Sequence, residues 1–334
     1  MMAREPADIS VVIPSFDRTD LALETVQSVL GQSWPVREIV IVANGSDDHA
    51  AFWTAQSNDL VRVVRLPPIG KQAARNAGIR AARCAWVAML DDDDLYLPEF
   101  IASVMPAIAD GRADIISTDH RKFSAERDDR RTNFEAAPKH YWAGIRPADP
   151  AVPWSFVGKF PLPLLLTRVP AYPSTCVMRR DFVLGIGGYN PAMNRIMAED
   201  LEFLIRALTQ GNLALVWKPL VRYRKHAGND SASNIGRAIG RWRIFEFARE
   251  FHQQLPADFR SALDRDLPRR RRKIFRLAYD AGDGDLMDEL WGKLGPSQRT
   301  PDLWLRRLIA KSSGSTRSEA RRGDRPGPLQ PGAR

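Results

Sequence analysis

The chain has 334 residues, of which 44% are hydrophobic and 27% are charged. This composition excludes a disordered protein and allows one large domain with an additional segment. The net charge of +9 is concentrated in residues 251–334, where 18 Lys and Arg face 11 Asp and Glu. That surplus of +7 leaves only +2 for the first 250 residues, so we expect no nucleic-acid partner.

Neither a membrane-spanning helix nor a signal peptide is predicted. No stretch reaches about 18 uninterrupted apolar residues, and the apolar run that begins at Val11 stops at Pro14. The two cysteines, Cys84 and Cys176, lack the spacing of a zinc site and are expected in the core. The sequence therefore predicts a cytoplasmic protein.

In the first hundred residues, apolar strands alternate with amphipathic helices. This pattern is typical of a mostly parallel sheet covered by helices. The predicted elements are a strand at 9–13, a helix at 21–30 that ends at Gly31, strands at 39–42 and 61–64, a helix at 70–83 and a strand at 86–90. The last of these strands runs directly into four consecutive aspartates.

The second half is less regular. Residues 119–172 are rich in proline and charge and predict loops with short elements. A strand at 175–178, a glycine-rich turn at 185–189, a helix at 199–210 and a strand at 213–217 are predicted next. Beyond residue 237 the pattern is helical and basic, and from about residue 312 Ser, Gly, Pro and Arg predict disorder.

The aspartates Asp91, Asp92, Asp93 and Asp94 follow a buried strand, where ligands bind in open α/β sheets. Four adjacent carboxylates repel one another, and a hard cation such as Mg²⁺ or Mn²⁺ relieves that repulsion. The alternative is a solvated acidic turn that caps the helix near Pro98. Because neither glycine motif that cradles phosphates occurs in the chain, the metal is the better explanation for phosphate binding.

An ordered set of motifs across residues 9–235 resembles the family 2 glycosyltransferases of the GT-A fold. The motifs are Val11-Val12-Ile13-Pro14-Ser15-Phe16, Asn44-Gly45-Ser46, Ala74-Arg75-Asn76-Ala77-Gly78, Leu90-Asp91-Asp92-Asp93-Asp94, Gly187-Gly188-Tyr189, Glu199-Asp200 and Tyr223-Arg224-Lys225-His226. The resemblance implies a Rossmann-like mixed, mostly parallel sheet flanked by helices, with a C-terminal helical extension. It also implies an inverting, metal-dependent enzyme that transfers a hexose-like sugar from a nucleotide-sugar donor to a saccharide or lipid-linked acceptor, in polysaccharide or glycolipid assembly.

By this resemblance, Asp200 is the catalytic base with Glu199 beside it, and Mg²⁺ or Mn²⁺ is the cofactor. The implied metal ligands are Asp93, Asp94 and His226, and the implied acceptor loop is Gly187, Gly188 and Tyr189. The implied donor contacts are Pro14, Ser15, Phe16, Asn44, Arg75, Asp91 and Asp93. Residues 1–118 would form the nucleotide-sugar half, 119–235 the acceptor and base half, 236–311 a basic helical extension and 312–334 a disordered tail.

Several of these residues have a plainer explanation. Glu199 and Asp200 could simply cap a helix, Arg75 could be an exposed helix cation instead of a contact to the diphosphate or the aspartates, and His226 could be solvated. Many relatives carry, at the position of Ala43, an aspartate that hydrogen-bonds the base of the nucleotide. With Ala43 here, the sequence does not specify which base the donor carries. A catalytically inactive homologue and a nucleotidyltransferase are the alternative functions.

The basic C-terminal region has two interpretations that the sequence leaves open. It fits attraction to an anionic membrane at the inner face, where a lipid-linked acceptor would be presented. It equally fits a solvated helical face with a flexible terminus.

Overall fold

A computed structural model describes residues 4–149, 151–194, 196–226 and 234–312. The chain forms two compact units, Met1–Asn194 with Phe203–Asn229 and Arg195–Glu202 with Asp230–Arg334. The strands are β1 (Ala7–Ser15), β2 (Val36–Asn44), β3 (Val61–Leu66), β4 (Trp86–Met89), β5 (Leu95–Tyr96), β6 (Ile115–Phe123), β7 (Trp154–Gly158), β8 (Cys176–Arg179) and β9 (Leu213–Arg224). The helices are α1 (Thr19–Leu30), α2 (Asp47–Ala55), α3 (Lys71–Ala81), α4 (Phe100–Asp110), α5 (Arg180–Gly185), α6 (Asp200–Gln210), α7 (Asn234–Phe251), α8 (Ala257–Asp280), α9 (Gly284–Lys293) and α10 (Pro301–Ser312).

In the first unit, the described strands form one mixed sheet in the order β3-β2-β1-β4-β8-β6-β9-β5, with β7 paired to β9. Strand β1 pairs in parallel with both β2 and β4, and β2 with β3. Strand β8 is antiparallel to β4 and β6, whereas β6 and β9 are parallel. The predicted mixed, mostly parallel sheet flanked by helices is confirmed.

The strand order reverses at β1, because β2 lies on one side of it and β4 on the other. At such a switch point the carboxyl ends of neighbouring strands leave a crevice in which ligands bind. Strands β1 and β2 are buried along almost their whole length, as expected for strands covered on both faces. The sheet therefore gives the turns after β1, β2 and β4 a rigid base.

Helix α3 lies close to the sheet because Gly78 has no side chain. A Cβ built at Gly78 would come within 2.3 Å of Val12 Cγ1 and 2.9 Å of Val42 Cγ2. Real Cβ atoms do not approach other atoms so closely, so any larger residue would push the helix away from β1 and β2. This contact fixes α3, and with it the side chain of Arg75, next to the ends of the strands.

The loops with short elements predicted for residues 119–172 are confirmed, whereas the predicted end of a later strand was wrong. The charged and proline-rich segment 119–172 contains the end of β6 and all of β7, and the polar residues Asp119 and His120 of β6 are buried in the sheet. Strand β9 does not end at residue 217, because a register shift between Thr118 and Asp119 lets it pass Pro219 and continue to Arg224. A proline that cannot donate to the ladder is tolerated at such an irregularity.

Helix α2 was not predicted after the turn that follows β2. Its N-terminus is capped by Ser46, whose Oγ accepts from the backbone N–H of His49 at 3.3 Å. The helix has no clear apolar period in the sequence, since only His49, Ala50 and Trp53 are buried. Periodicity alone therefore gave no signal for this helix.

The second unit contains the helices α7 to α10, which confirms the helical pattern predicted beyond residue 237. An ion pair joins helices α7 and α8. The Glu246 carboxylate on α7 accepts hydrogen bonds from Arg271 Nε and Nη2 on α8 at 2.6 and 2.8 Å, and it also accepts one from Trp242. None of the helices in the described ranges is long and apolar enough to cross a membrane. The disorder predicted from about residue 312 falls almost entirely outside the described residues.

Candidate active site

The turns after β1 and β2 are joined by Asp17. Its backbone is left-handed, with φ of 51°, and its Oδ1 accepts from the Ser46 N–H at 2.9 Å and from Ser46 Oγ at 2.8 Å. The hydrogen bond from the Ser46 backbone, followed by that from its hydroxyl, lowers the pKa of Asp17. Gly45 leaves room for this carboxylate, because a Cβ there would lie 2.5 Å from Oδ1. The two turns thus form one structure.

The residues predicted to contact the donor lie along this structure. Pro14 and Ser15 are the last residues of β1, and Phe16 is exposed, while its N–H donates to Asp92 Oδ2 at 3.2 Å. Asn44 is buried, and its Oδ1 accepts from the Ile69 N–H at 3.0 Å. In the structure Asn44 therefore connects the end of β2 to the loop that precedes α3.

Asp91 is held by two cations of helix α3. Arg75, which is only 1% exposed, places Nη2 2.7 and 3.1 Å from the two carboxylate oxygens of Asp91, and Lys71 Nζ lies 3.2 Å from Oδ2. Burial by itself would raise the pKa of Asp91, but the charges of Arg75 and Lys71 outweigh burial and hold the pKa well below its usual range. Arg75 is therefore not an exposed helix cation.

Asp92 and Asp93 share the cation Arg18, which directly precedes α1. Arg18 Nη1 lies 3.6 Å from Asp92 Oδ1 and 3.0 Å from Asp93 Oδ2. Burial, followed by the charge of Asp93, raises the pKa of Asp92 to about 6. Asp93 has a further neighbour at the end of β9, since His226 Nε2 lies 3.0 Å from the same Oδ2.

Asp94 is completely buried, and both of its oxygens accept hydrogen bonds. Ser174 Oγ donates to Oδ2 at 2.6 Å, and the N–H of Arg224 donates to Oδ1 at 2.9 Å. Burial, followed by the charges of Asp93 and Asp91, raises the pKa of Asp94 well above its usual value. The four aspartates thus occupy four different environments, although they are adjacent in sequence.

The glycine-rich loop before α6 is anchored on two sides. Asn76 on α3 exchanges two hydrogen bonds of 2.7 Å with the backbone of Tyr189, and Arg206 on α6 donates to the carbonyls of Ile186 and Gly188 at 2.6 and 2.7 Å. Gly187 and Gly188 have φ of 85° and 65°, a conformation that favours glycine. The ring of Tyr189 is buried and stacks on Phe203 at 4.1 Å between centroids.

Glu199 and Asp200 lie at the N-terminus of α6, and both are half-buried. The residue before them, Ala198, has φ of 64°, which is unusual for a residue with a side chain. Such conformations persist where the surrounding structure imposes them, and they cluster at functional sites. The helix therefore begins with a sharp backbone turn that sets the position of the two carboxylates.

Sequence reasoning missed the groups that complete the surroundings of the aspartates, namely Arg18, Lys71 and Ser174. Two are single cations in polar segments, and Ser174 acts from the turn before β8, so no local pattern marked them. Among the described residues, no group of three or more His, Cys, Asp and Glu side chains is arranged to hold a metal ion. Of the three predicted metal ligands, Asp93 and His226 are in hydrogen-bond contact.

Comparison with known proteins identifies the family. The model of the family described as "Glycosyl transferase family 2" matches residues 10–183, more than half of the chain. The chain belongs to this family. The match covers β1 to β8 and thus the turns and the aspartates described above.

Individual relatives match shorter segments. An uncharacterized glycosyltransferase of Rickettsia felis is 36% identical over 95 residues, which is 28% of this chain and 16% of that protein. The succinoglycan biosynthesis protein ExoO of Rhizobium meliloti is 32% identical over 123 residues, 34% of this chain and 35% of ExoO. The chain therefore spans only a minor part of these two relatives.

A solved structure covers more of the chain. Staphylococcus aureus TarS 1-349, crystallised with UDP-GlcNAc, aligns with 90% of this chain and 79% of its own chain, with a TM-score of 0.56 and 16% sequence identity. At this identity the likeness shows the fold alone. It supports the GT-A architecture predicted from the motifs.

Proposed function

We propose that this chain is an inverting, metal-dependent glycosyltransferase that moves a sugar from a nucleoside-diphosphate sugar to an acceptor hydroxyl in polysaccharide or glycolipid assembly. The observation that carries the proposal is the placement of Asp91–Asp94, each with its own partners, beside the ends of β1 and β4 in a family 2 chain. The UDP-GlcNAc bound to TarS and the role of ExoO in succinoglycan biosynthesis support it.

Asp93 and His226 are the residues that would hold a divalent ion. Asp93 Oδ2 and His226 Nε2 lie 3.0 Å apart, so that both groups could contact the same ion. Carboxylate and imidazole are both ligands that such ions accept. We propose Mg²⁺ or Mn²⁺ there, with Asp94 as the further ligand expected from the sequence. The ion supplies a Lewis acid that stabilises the departing diphosphate.

The protein's own groups complete the proposed chemistry. Lys71 and Arg18 are partly exposed cations next to the aspartates and provide positive charge for the two phosphates of the donor. Asp200 accepts the proton of the acceptor hydroxyl, whose oxygen forms the new bond to the anomeric carbon. The bond from that carbon to the nucleoside diphosphate breaks, the diphosphate leaves with the electron pair, and the configuration inverts.

The proposal does not specify which nucleotide base the donor carries. Ala43 lies within β2, is completely buried and offers no hydrogen-bond acceptor beyond its backbone. Asp47 and Asp48, in the first turn of α2, are exposed and are the nearest acidic residues in sequence. We propose that one of them, or the backbone of the turn at Asn44-Gly45-Ser46, recognises the base.

Calorimetric titration with a panel of UDP, GDP, ADP and dTDP sugars in the presence of Mn²⁺ tests this function. We expect at least one of these donors to bind with a dissociation constant of about 1 μM to 1 mM, the usual range of enzyme substrates. Sugar 1-phosphates, which lack the nucleoside, are the matched control. If no donor binds more tightly than its sugar 1-phosphate, the proposal is wrong.

The same samples distinguish an enzyme from an inactive homologue. After prolonged incubation with the tightest donor, release of the nucleoside diphosphate is measured by anion-exchange chromatography, with and without added saccharide acceptors. Binding without any release would favour a protein that keeps the donor site and has lost turnover.

We further propose that the basic helical extension contacts an anionic membrane, where a lipid-linked acceptor would be presented. The charge surplus of residues 251–334 supports this contact. Part of this charge is used within the second unit, since Arg269, Arg270 and Arg271 pair with acidic side chains. Charge alone therefore does not identify the surface that would meet the lipid.

A further inference from the structure

Helix α10 exposes an apolar face. Its four large apolar residues Trp304, Leu305, Leu308 and Ile309 are 48%, 59%, 61% and 41% exposed. Residues spaced by one, four and five positions lie on the same side of a helix, so these side chains form one continuous stripe. We call this stripe the α10 apolar face.

The opposite side of α10 carries charged groups that pair within the unit. Arg306 Nη1 lies 3.0 Å from Asp280 of α8, Arg307 Nη2 lies 2.9 Å from Asp288 of α9, and Asp302 accepts from Arg276 of α8 at 3.0 Å. Leu303 is the buried apolar residue on this side. Three ion pairs and the buried Leu303 thus fix α10 to its neighbours, while four of its large apolar side chains stay largely exposed.

This arrangement is the reverse of an ordinary surface helix, in which the apolar stripe packs on the core. Single exposed apolar residues are common, but a contiguous patch on one helix marks an interaction site. One member of the patch contacts a neighbouring helix, because the Trp304 ring packs edge-on against Trp291 of α9 at 4.7 Å between centroids. Something apolar is therefore expected to cover the α10 apolar face.

The composition of residues 313–334 is poorly suited to covering this face. Residues 313–334 contain no aromatic residue, and Leu329 is their only large aliphatic residue. A second copy of the chain is also a poor partner, because residues 251–334 carry a surplus of +7 and two such regions would repel each other. The same charge is complementary to anionic lipid headgroups.

Basic residues stand at the end of α10 and in the sequence that follows it. Lys311 is exposed at the end of α10, and Arg317, Arg321, Arg322 and Arg325 follow in the sequence. Trp, Leu and Ile on one side combined with Lys and Arg nearby are typical of helices that lie in the headgroup region of a membrane. Apolar burial and attraction to the anionic headgroups would then act together.

We propose that the α10 apolar face is the membrane-docking element of this protein and lies in the surface of an anionic bilayer. The suggested purpose of docking, which is access to a lipid-linked acceptor, rests on the proposed function. The docking itself does not. Its failure and that of the transferase proposal are distinguishable, because vesicle binding is measured without donor or acceptor.

Vesicle co-sedimentation of the full chain tests the proposal. We expect binding to vesicles that contain phosphatidylglycerol, and weaker binding to pure phosphatidylcholine vesicles. The double variant Leu305→Ser/Leu308→Ser should lose about tenfold or more in vesicle affinity, since it removes the two most exposed apolar side chains of the face. Circular dichroism checks that the variant keeps its helices.

The matched control is Leu30→Ser, which removes an exposed leucine of α1 and should leave vesicle binding unchanged. Equal vesicle binding by the double variant and the wild type would overturn the proposal, as would equal binding to neutral and anionic vesicles. Light scattering provides a second readout. A concentration-dependent dimer that the double variant abolishes would show that a second copy covers the face, and would also overturn it.

Discussion

Asp200→Asn is expected to lower the rate of sugar transfer by about 10² to 10⁴-fold while donor binding is retained, because a positioned general base contributes a factor of that size. Asparagine has nearly the same shape as aspartate but cannot accept the proton of the acceptor hydroxyl. The substitution keeps a side chain able to cap the N-terminus of α6, so the helix should remain intact. Release of nucleoside diphosphate in the presence of acceptor measures the rate, and calorimetry measures donor affinity.

The matched control for this prediction is Asp181→Asn in the first turn of α5. Asp181 is also an acidic residue near a helix N-terminus, but its side chain is fully exposed and carries no proposed role. We expect it to change transfer little. A decrease of less than about tenfold for Asp200→Asn, or a loss of donor binding equal to the loss of rate, would argue against a base at this position.

Arg75→Met is expected to destabilise the protein by about 3 kcal/mol, since it removes the buried main partner of the half-buried Asp91 carboxylate and leaves only Lys71 beside it. Methionine keeps much of the aliphatic volume of arginine, so the loss is chiefly electrostatic. Urea unfolding monitored by circular dichroism measures the change. The double variant Arg75→Met/Asp91→Asn should recover part of the stability, because it removes the unpaired charge as well.

The destabilisation by Arg75→Met should also depend on pH. In the wild type the pKa of Asp91 lies below its unfolded value, so Asp91 contributes stability at neutral pH that is lost as the pH falls. In the variant Arg75 no longer lowers this pKa, so the pKa of Asp91 rises and protonation at acid pH relieves the unfavourable charge. The difference between the two proteins should therefore shrink at low pH. Arg80→Met, an exposed position on the same helix, should cost little at any pH.

The parallel half of the sheet could be predicted from sequence because its strands are buried on both faces and read as apolar runs. The run of aspartates marked the end of β4 for the same reason: a continuous apolar segment stops where the carboxylates begin. Gly31, placed from sequence at the end of α1, is the residue that ends that helix in the structure. Local signals sufficed where burial and turns are encoded by adjacent residues.

The second half of β6 could not be predicted because it carries buried polar side chains. Asp119 and His120 lie inside the sheet, although polar residues in a sequence are more typical of loops. Burial raises the pKa of Asp119 to about 6 and lowers that of His120 to about 3. The outward orientation of the α10 apolar face was equally hidden. A helical period locates an apolar stripe but does not say which side meets the protein.

The partners of each of the four aspartates could be identified only from the structure. Sequence reasoning placed Arg75 near them but could not tell that it binds Asp91, that Ser174 and the Arg224 backbone bind Asp94, or that Arg18 lies between Asp92 and Asp93. These partners come from elements that are distant in the chain. Only the fold brings them together.

The proposed metal-assisted donor site is tested most directly by calorimetric titration of one nucleotide-sugar donor into the protein with Mn²⁺ and again after chelation by EDTA. We expect chelation to weaken donor binding by about tenfold or more, equal to about 1.4 kcal/mol. Asp93→Asn should weaken it similarly in the presence of Mn²⁺, whereas Asp181→Asn, at an exposed position with no proposed role, should leave donor binding and its metal dependence unchanged. Donor affinity that neither EDTA nor Asp93→Asn alters would contradict the account.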